Sequence, residues 1–212
     1  MSHIKVLLVE DDPDWIKAMT AFLNREPDIL IVGAASGPDE AIRLAGTLAF
    51  DVVLMDIHLT EMGLDGIYTA IEIHEIHPAK IIMLTSVNDE EVIKQAFTAG
   101  AVNYIDKTRF EELPHAIRSA HHHPFAMEAL LKEYARLKRE EQLKELTAAE
   151  REVFELIEEG YTQSQIEKKL VKAESTLKNQ VNKMLKKLGA VSSKEAVEKV
   201  RRRGLFRGKK RE

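Results

Sequence analysis

Five short apolar runs recur through the first half of this chain: Ile4–Val9, Ile29–Ala34, Val52–Met55, Lys80–Leu84 and Val102–Ile105. None alternates strictly between apolar and polar residues, so each suits a strand buried on both faces, as in a parallel sheet. The stretches between them place apolar residues at helical spacing. The first carries Trp15, Ile16, Met19, Phe22 and Leu23 on one face, and a later one carries Ala41, Ile42, Ala45 and Leu48. Parallel strands need such crossover helices, and the helices in turn cover the sheet.

Strand and helix alternate five times within about 120 residues, which predicts a flavodoxin-like doubly wound sheet of order 2-1-3-4-5. Sites in such sheets form at the carboxyl ends of the strands. The first run ends in Glu10-Asp11-Asp12, the third in Asp56, the fourth in Thr85-Ser86 and the fifth in Asp106-Lys107. One sheet edge is therefore expected to gather acids, a hydroxyl and a lysine, with Asp56 as the reactive candidate. A carboxylate can accept a phosphoryl group. Clustered carboxylates repel one another and raise a pKa unless a cation sits among them.

Charge divides the chain in two. Residues 1–120 hold nine basic and twenty acidic side chains, whereas residues 121–212 hold twenty-two basic and fifteen acidic ones. An acidic half joined to a basic half predicts two domains with different partners, the basic one suited to a polyanion. Cysteine is absent, which excludes disulfides and thiolate metal sites. No apolar run approaches the roughly 20 residues that span a bilayer. The first residues lead into a strand without a signal-peptide pattern, so a cytoplasmic location without membrane contact is expected.

Residues 122–145 predict a charged linker helix with Phe125, Leu130, Tyr134 and Leu137 at helical period. The preceding His121-His122-His123 is not expected to hold a metal, because adjacent helical side chains diverge. From Thr147-Ala148-Ala149-Glu150, a capping box, a compact helical segment begins. A short helix from Thr162 to Leu170, a four-residue turn and a longer helix from Ser175 to Leu188 form a helix-turn-helix. At roughly 100° per residue, Leu177, Val181, Met184, Leu185 and Leu188 share one arc of that longer helix. Lys178, Asn179, Asn182, Lys183 and Lys186 share the other, without an acid among them. Asparagine can bond adenine and lysine can bond guanine or phosphate, which suits a helix in the major groove of double-stranded DNA. The last residues, 207–212, form a basic tail.

Both halves resemble one family. The strand-end set Glu10, Asp11, Asp56, Thr85 and Lys107 is similar to that of the receiver domain of two-component response regulators. The stretches Leu146-Thr147-Ala148-Ala149-Glu150-Arg151-Glu152-Val153, Ser175-Thr176-Leu177-Lys178-Asn179 and Leu185-Lys186-Lys187-Leu188-Gly189 resemble a LuxR-type helix-turn-helix. This order of domains is that of the NarL/FixJ-type regulators. The resemblance implies a receiver domain over 1–121, a linker helix over 122–145, a DNA-binding domain over 146–206 and the basic tail. It implies that Asp56 accepts a phosphoryl group from a sensor histidine kinase. Glu10, Asp11, Asp56 and the backbone carbonyl of His58 would hold Mg²⁺. Lys107 would pair with phosphoryl oxygens, and Thr85 and Tyr104 would form the switch pair. Thr176, Lys178, Asn179, Asn182, Lys183 and Lys186 would face DNA, with a homodimer formed on phosphorylation and RNA polymerase as a further partner.

Three positions depart from the family pattern. The loop from Asp56 to Gly66 is about two residues longer than usual, and Thr60 stands where proline is common. Thr108 replaces a proline after Lys107, so a trans bond is expected there. Gln180 replaces a frequent histidine in the recognition helix. An enzyme alternative, a phosphohydrolase with an aspartyl intermediate, would need a second aspartate two residues after the nucleophile, where this chain has His58.

Overall fold

The computed structural model describes residues 3–60, 63–86, 89–122, 125–202 and 204–205. Glu61 and Met62 of the long loop, His123 of the histidine run, Arg203, and the expected tail at 207–212 lie outside them. Strands β1 (Ile4–Val9), β2 (Ile29–Ala35), β3 (Val52–Asp56), β4 (Lys80–Thr85) and β5 (Asn103–Asp106) form one parallel sheet in the order β2-β1-β3-β4-β5, as the alternating pattern predicts. Helices α1 (Pro13–Leu23), α2 (Pro38–Ala45), α3 (Asp65–Ile76), α4 (Glu90–Thr98) and α5 (Leu113–His122) link or follow the strands. The central β3 is buried along its whole length, which accounts for its unbroken apolar run.

The sequence predicts helices from about Ile67 to Ile76 and from about Phe110 to His121, and the structure starts both elsewhere. Helix α3 begins at Asp65 rather than near Ile67, which shortens the loop after β3. Instead of an α-helix from Phe110, a kinked 3-10 segment spans Lys107–Glu112, and α5 starts only at Leu113. The cause is local: Asp106 accepts from the amide and hydroxyl of Thr108, and Arg109 leaves helical geometry. The Lys107–Thr108 peptide is trans, as expected without proline.

By internal contacts the chain divides into Met1–Glu133 and Tyr134–Glu212, and the long helix α6 (Phe125–Leu143) runs through that division. The second unit holds α7 (Ala148–Glu158), α8 (Gln163–Leu170), α9 (Glu174–Leu188) and α10 (Ser193–Arg201). Thr147 and Glu150 form the capping box that opens α7. Phe154, Met184, Leu188, Ala196 and Val200 pack with Leu143 into one core cluster, and Val153, Leu156, Ile166 and Leu177 form another. Val171 makes the turn between α8 and α9 in a left-handed conformation (φ 52°, ψ 47°), unusual for a β-branched residue. No described helix is long and apolar enough to cross a membrane.

Candidate functional site

The carboxyl edge of the sheet brings together three side chains that lie far apart in sequence. Glu10 follows β1, Asp56 ends β3 and Lys107 follows β5. The Lys107 ammonium sits 2.6 Å from Glu10 Oε2 and 2.9 Å from Asp56 Oδ2. Glu10 and Asp56 are buried, at 0% and 4% exposure, whereas Asp11 is exposed. Carboxylate oxygens of Glu10, Asp11 and Asp56 lie within 4.8 Å of one another. Burial pushes the Glu10 carboxyl up to about 7 against the bond from Lys107, and the adjacent Asp56 charge pushes the same way. Burial would lower Lys107, but its bonds to Glu10 and Asp56 outweigh that and raise it.

This charge balance bears on what the edge can hold. Two buried carboxylates and a third at the rim face one ammonium, so the cluster keeps an excess of negative charge. An oxygen-only donor set with that excess fits a hard divalent cation.

Local folding explains the placement. Asp12 caps α1, accepting from the amides of Asp14 and Trp15, so the chain turns sharply after Asp11. That turn sets the Trp15 ring 5.2 Å from the Lys107 ammonium. Thr85 ends β4, the strand beside Asp56, and is fully buried. Tyr104 lies half-buried on β5 opposite Met83. His58 is half-buried beyond β3, and its Nδ1 lies 3.1 Å from the Gly63 carbonyl.

Three further residues shape this edge. Trp15 fits the apolar face of α1 at helical spacing, which gives no sign of the Lys107 ammonium beside it. Gly66 lies so close to β3 that a Cβ there would stand 1.8 Å from the Asp56 carbonyl oxygen. Asp65 is 2% exposed and accepts from the Leu59 amide at 3.0 Å. An Asp-Gly pair opening a helix just after Asp56 was the available signal.

In the second unit, Thr176, Lys178, Asn179, Asn182, Lys183 and Lys186 are all exposed on α9, while Leu177, Met184 and Leu188 are buried. Lys187, on the same helix, is taken up by Glu150 at 2.6 Å, which holds the Glu150 carboxyl below its usual range. Beyond its first residue, the exposed Glu174 that the sequence reading leaves outside the helix, the open face of α9 is polar and basic.

Comparison with known proteins agrees with both halves. Residues 6–118 match the response regulator receiver domain, and residues 144–200 match the bacterial regulatory proteins of the luxR family. The chain is 36% identical over 193 residues to the transcriptional regulatory protein LiaR of Bacillus subtilis, spanning 87% of this chain and 90% of LiaR. It is 33% identical to the response regulator protein VraR of Staphylococcus aureus, spanning 92% and 94%. A two-component response regulator of the LuxR family from Aurantimonas superposes with a TM-score of 0.52 at 30% identity, covering 56% of this chain and 85% of that one.

Proposed function

Because the chain belongs to the response regulators, with a receiver domain followed by a LuxR-type helix-turn-helix, we propose that phosphoryl transfer to Asp56 from a sensor histidine kinase controls its binding to DNA. It is a DNA-binding response regulator, like its curated relatives, and not an enzyme. The observation that carries the phosphoryl reading is the buried Asp56 bonded to Lys107 beside buried Glu10. We assign the receiver to residues 1–121, the linker helix to 122–145, the DNA-binding domain to 146–206 and a basic tail to 207–212.

An Asp56 carboxylate oxygen attacks the phosphorus of the kinase phosphohistidine. A P–O bond forms, the P–N bond breaks, and the freed imidazole nitrogen takes up a proton. Glu10, Asp11, Asp56 and the His58 carbonyl would hold Mg²⁺, whose charge offsets that of the transferred group. Lys107 moves from the carboxylate to the phosphoryl oxygens. The Thr85 hydroxyl turns toward them and Tyr104 turns inward, so the surface of α4, β5 and α5 changes. That change favours a homodimer, which presents two copies of α9 to two half-sites of double-stranded DNA. Lys178, Asn179 and Asn182 read bases, Thr176 and Lys186 meet phosphates, Lys183 adds a further DNA contact, and bound dimers meet RNA polymerase. Such partners fit a cytoplasmic location.

Trapping tests the assignment. After incubation with acetyl phosphate and Mg²⁺, borohydride reduction converts an aspartyl phosphate to homoserine, which mass spectrometry locates. Conversion at position 56, lost without Mg²⁺, is expected. Conversion elsewhere, or none, defeats the proposal.

A further inference from the structure

The segment that leaves β3 is held by two successive backbone tethers from the start of α3. The Gly66 amide donates to the Ile57 carbonyl at 3.0 Å, and the Leu59 amide donates to Asp65 Oδ1 at 3.0 Å. The two peptide units on either side of His58 are therefore both held from one helix end. A peptide unit is planar and trans, so its carbonyl points opposite to its N–H. The unit that contains the Leu59 N–H also contains the His58 carbonyl. Holding one aims the other away from Asp65.

Asp65 does not act as an ordinary helix cap. Helix α3 has no side-chain cap bond at its start, and Leu64 occupies the cap position. Asp65 Oδ1 reaches back to Leu59, and Oδ2 has no hydrogen-bond partner among the described residues. A carboxylate at 2% exposure with one idle oxygen is costly. The first-turn dipole of α3 offsets part of that cost, but it does not explain why the side chain turns toward the loop.

We propose that Asp65 is a positioning residue for the divalent cation: by holding the Leu59 amide it orients the His58 carbonyl toward the Glu10–Asp11–Asp56 cluster. This rests on the reading of that cluster as a Mg²⁺ site. Asp65 makes no contact with the cation itself. It acts through the backbone, and the loop between Asp56 and Gly66 keeps its coordinating carbonyl in place despite its extra length.

Trp15 supplies the readout, since it is the chain's one tryptophan and its ring lies 5.2 Å from the Lys107 ammonium. Mg²⁺ is titrated into the full unphosphorylated chain while Trp15 fluorescence is followed, with hydrogen exchange at the Leu59 amide as a second measurement. The wild type gives a saturable response. Asp65→Ala weakens Mg²⁺ about tenfold or more, the scale for losing an orienting partner of a metal ligand, and speeds Leu59 exchange. Asp65→Asn keeps an acceptor oxygen and stays within about threefold of wild type. Thr69→Val removes the hydroxyl bond to the Asp65 carbonyl within α3 but spares the Leu59 tether, so its Mg²⁺ affinity is unchanged. Should Asp65→Ala fail to fold, Asp65→Ser, too short to reach Leu59, carries the same expectation. Wild-type affinity in Asp65→Ala or its serine substitute, or an equal loss in Thr69→Val, overturns the assignment of Asp65. A wild-type chain with no Mg²⁺ response overturns instead the reading of the site on which it rests.

Discussion

Removing the Lys107 charge while keeping its apolar stem, in Lys107→Met, isolates what the ammonium does. Glu10 and Asp56 side chains are 1% and 5% exposed, so solvent cannot take over the screening. Two carboxylates within 4.8 Å of one another repel by about 3.5 kcal/mol at an effective dielectric of about 20. Deleting one partner of a buried pair costs about 3–5 kcal/mol on the same scale. The variant's receiver domain is therefore expected to lose about 3 kcal/mol in alkaline Mg²⁺-free buffer, above the range in which Glu10 holds a proton. Without Lys107, Glu10 loses the bond that opposes its upward shift, so its pKa climbs above about 7. Protonation then relieves the repulsion, and the loss shrinks to about 1 kcal/mol near pH 5. Urea unfolding followed through Trp15 measures both numbers, because that ring lies in the receiver. A loss below about 0.5 kcal/mol at the higher pH, with no pH dependence, would refute the electrostatic reasoning.

Gly66→Ala drives a Cβ to 1.8 Å from the Asp56 carbonyl oxygen, so thermal unfolding of the receiver should show a loss of about 3 kcal/mol or more. On selected operator DNA, Asn182→Ala should weaken binding by about 1–3 kcal/mol and relax preference at one base. Lys186→Ala should instead weaken all sequences alike and lower the salt slope by about one. In Mg²⁺-free wild type the Glu10 carboxyl is raised from 4.5 to about 7, so the fold prefers its protonated form. Its contribution is present below 4.5 and lost as pH rises to about 7, at most about 3 kcal/mol, and calorimetry across that range should show the decline flattened by Mg²⁺.

What the sequence made legible was whatever rests on periodicity and on strand ends. Unbroken runs such as Val52–Met55 predict buried strands because a covered parallel sheet leaves no polar face, and the observed order β2-β1-β3-β4-β5 follows. The convergence of Glu10, Asp56 and Lys107 was readable because each directly follows or ends a strand. The apolar arc of α9 was readable at helical period. What stayed hidden depends on contacts across sequence. Nothing local announces that Trp15 lies beside Lys107, or that Gly66 has no room for a side chain. The helix expected from Phe110 gave way because Asp106 bonds Thr108, a competition between a side chain and the helix backbone that periodicity does not register.

The linkage between the acidic edge and the basic helix is tested most directly by DNA affinity, measured on one selected site with and without acetyl phosphate and Mg²⁺, for wild type and Asp56→Asn. Tighter binding by the phosphorylated wild type, with the variant unresponsive, is the predicted result. An equal gain in Asp56→Asn, or no gain in a wild type shown to be phosphorylated, would contradict the account.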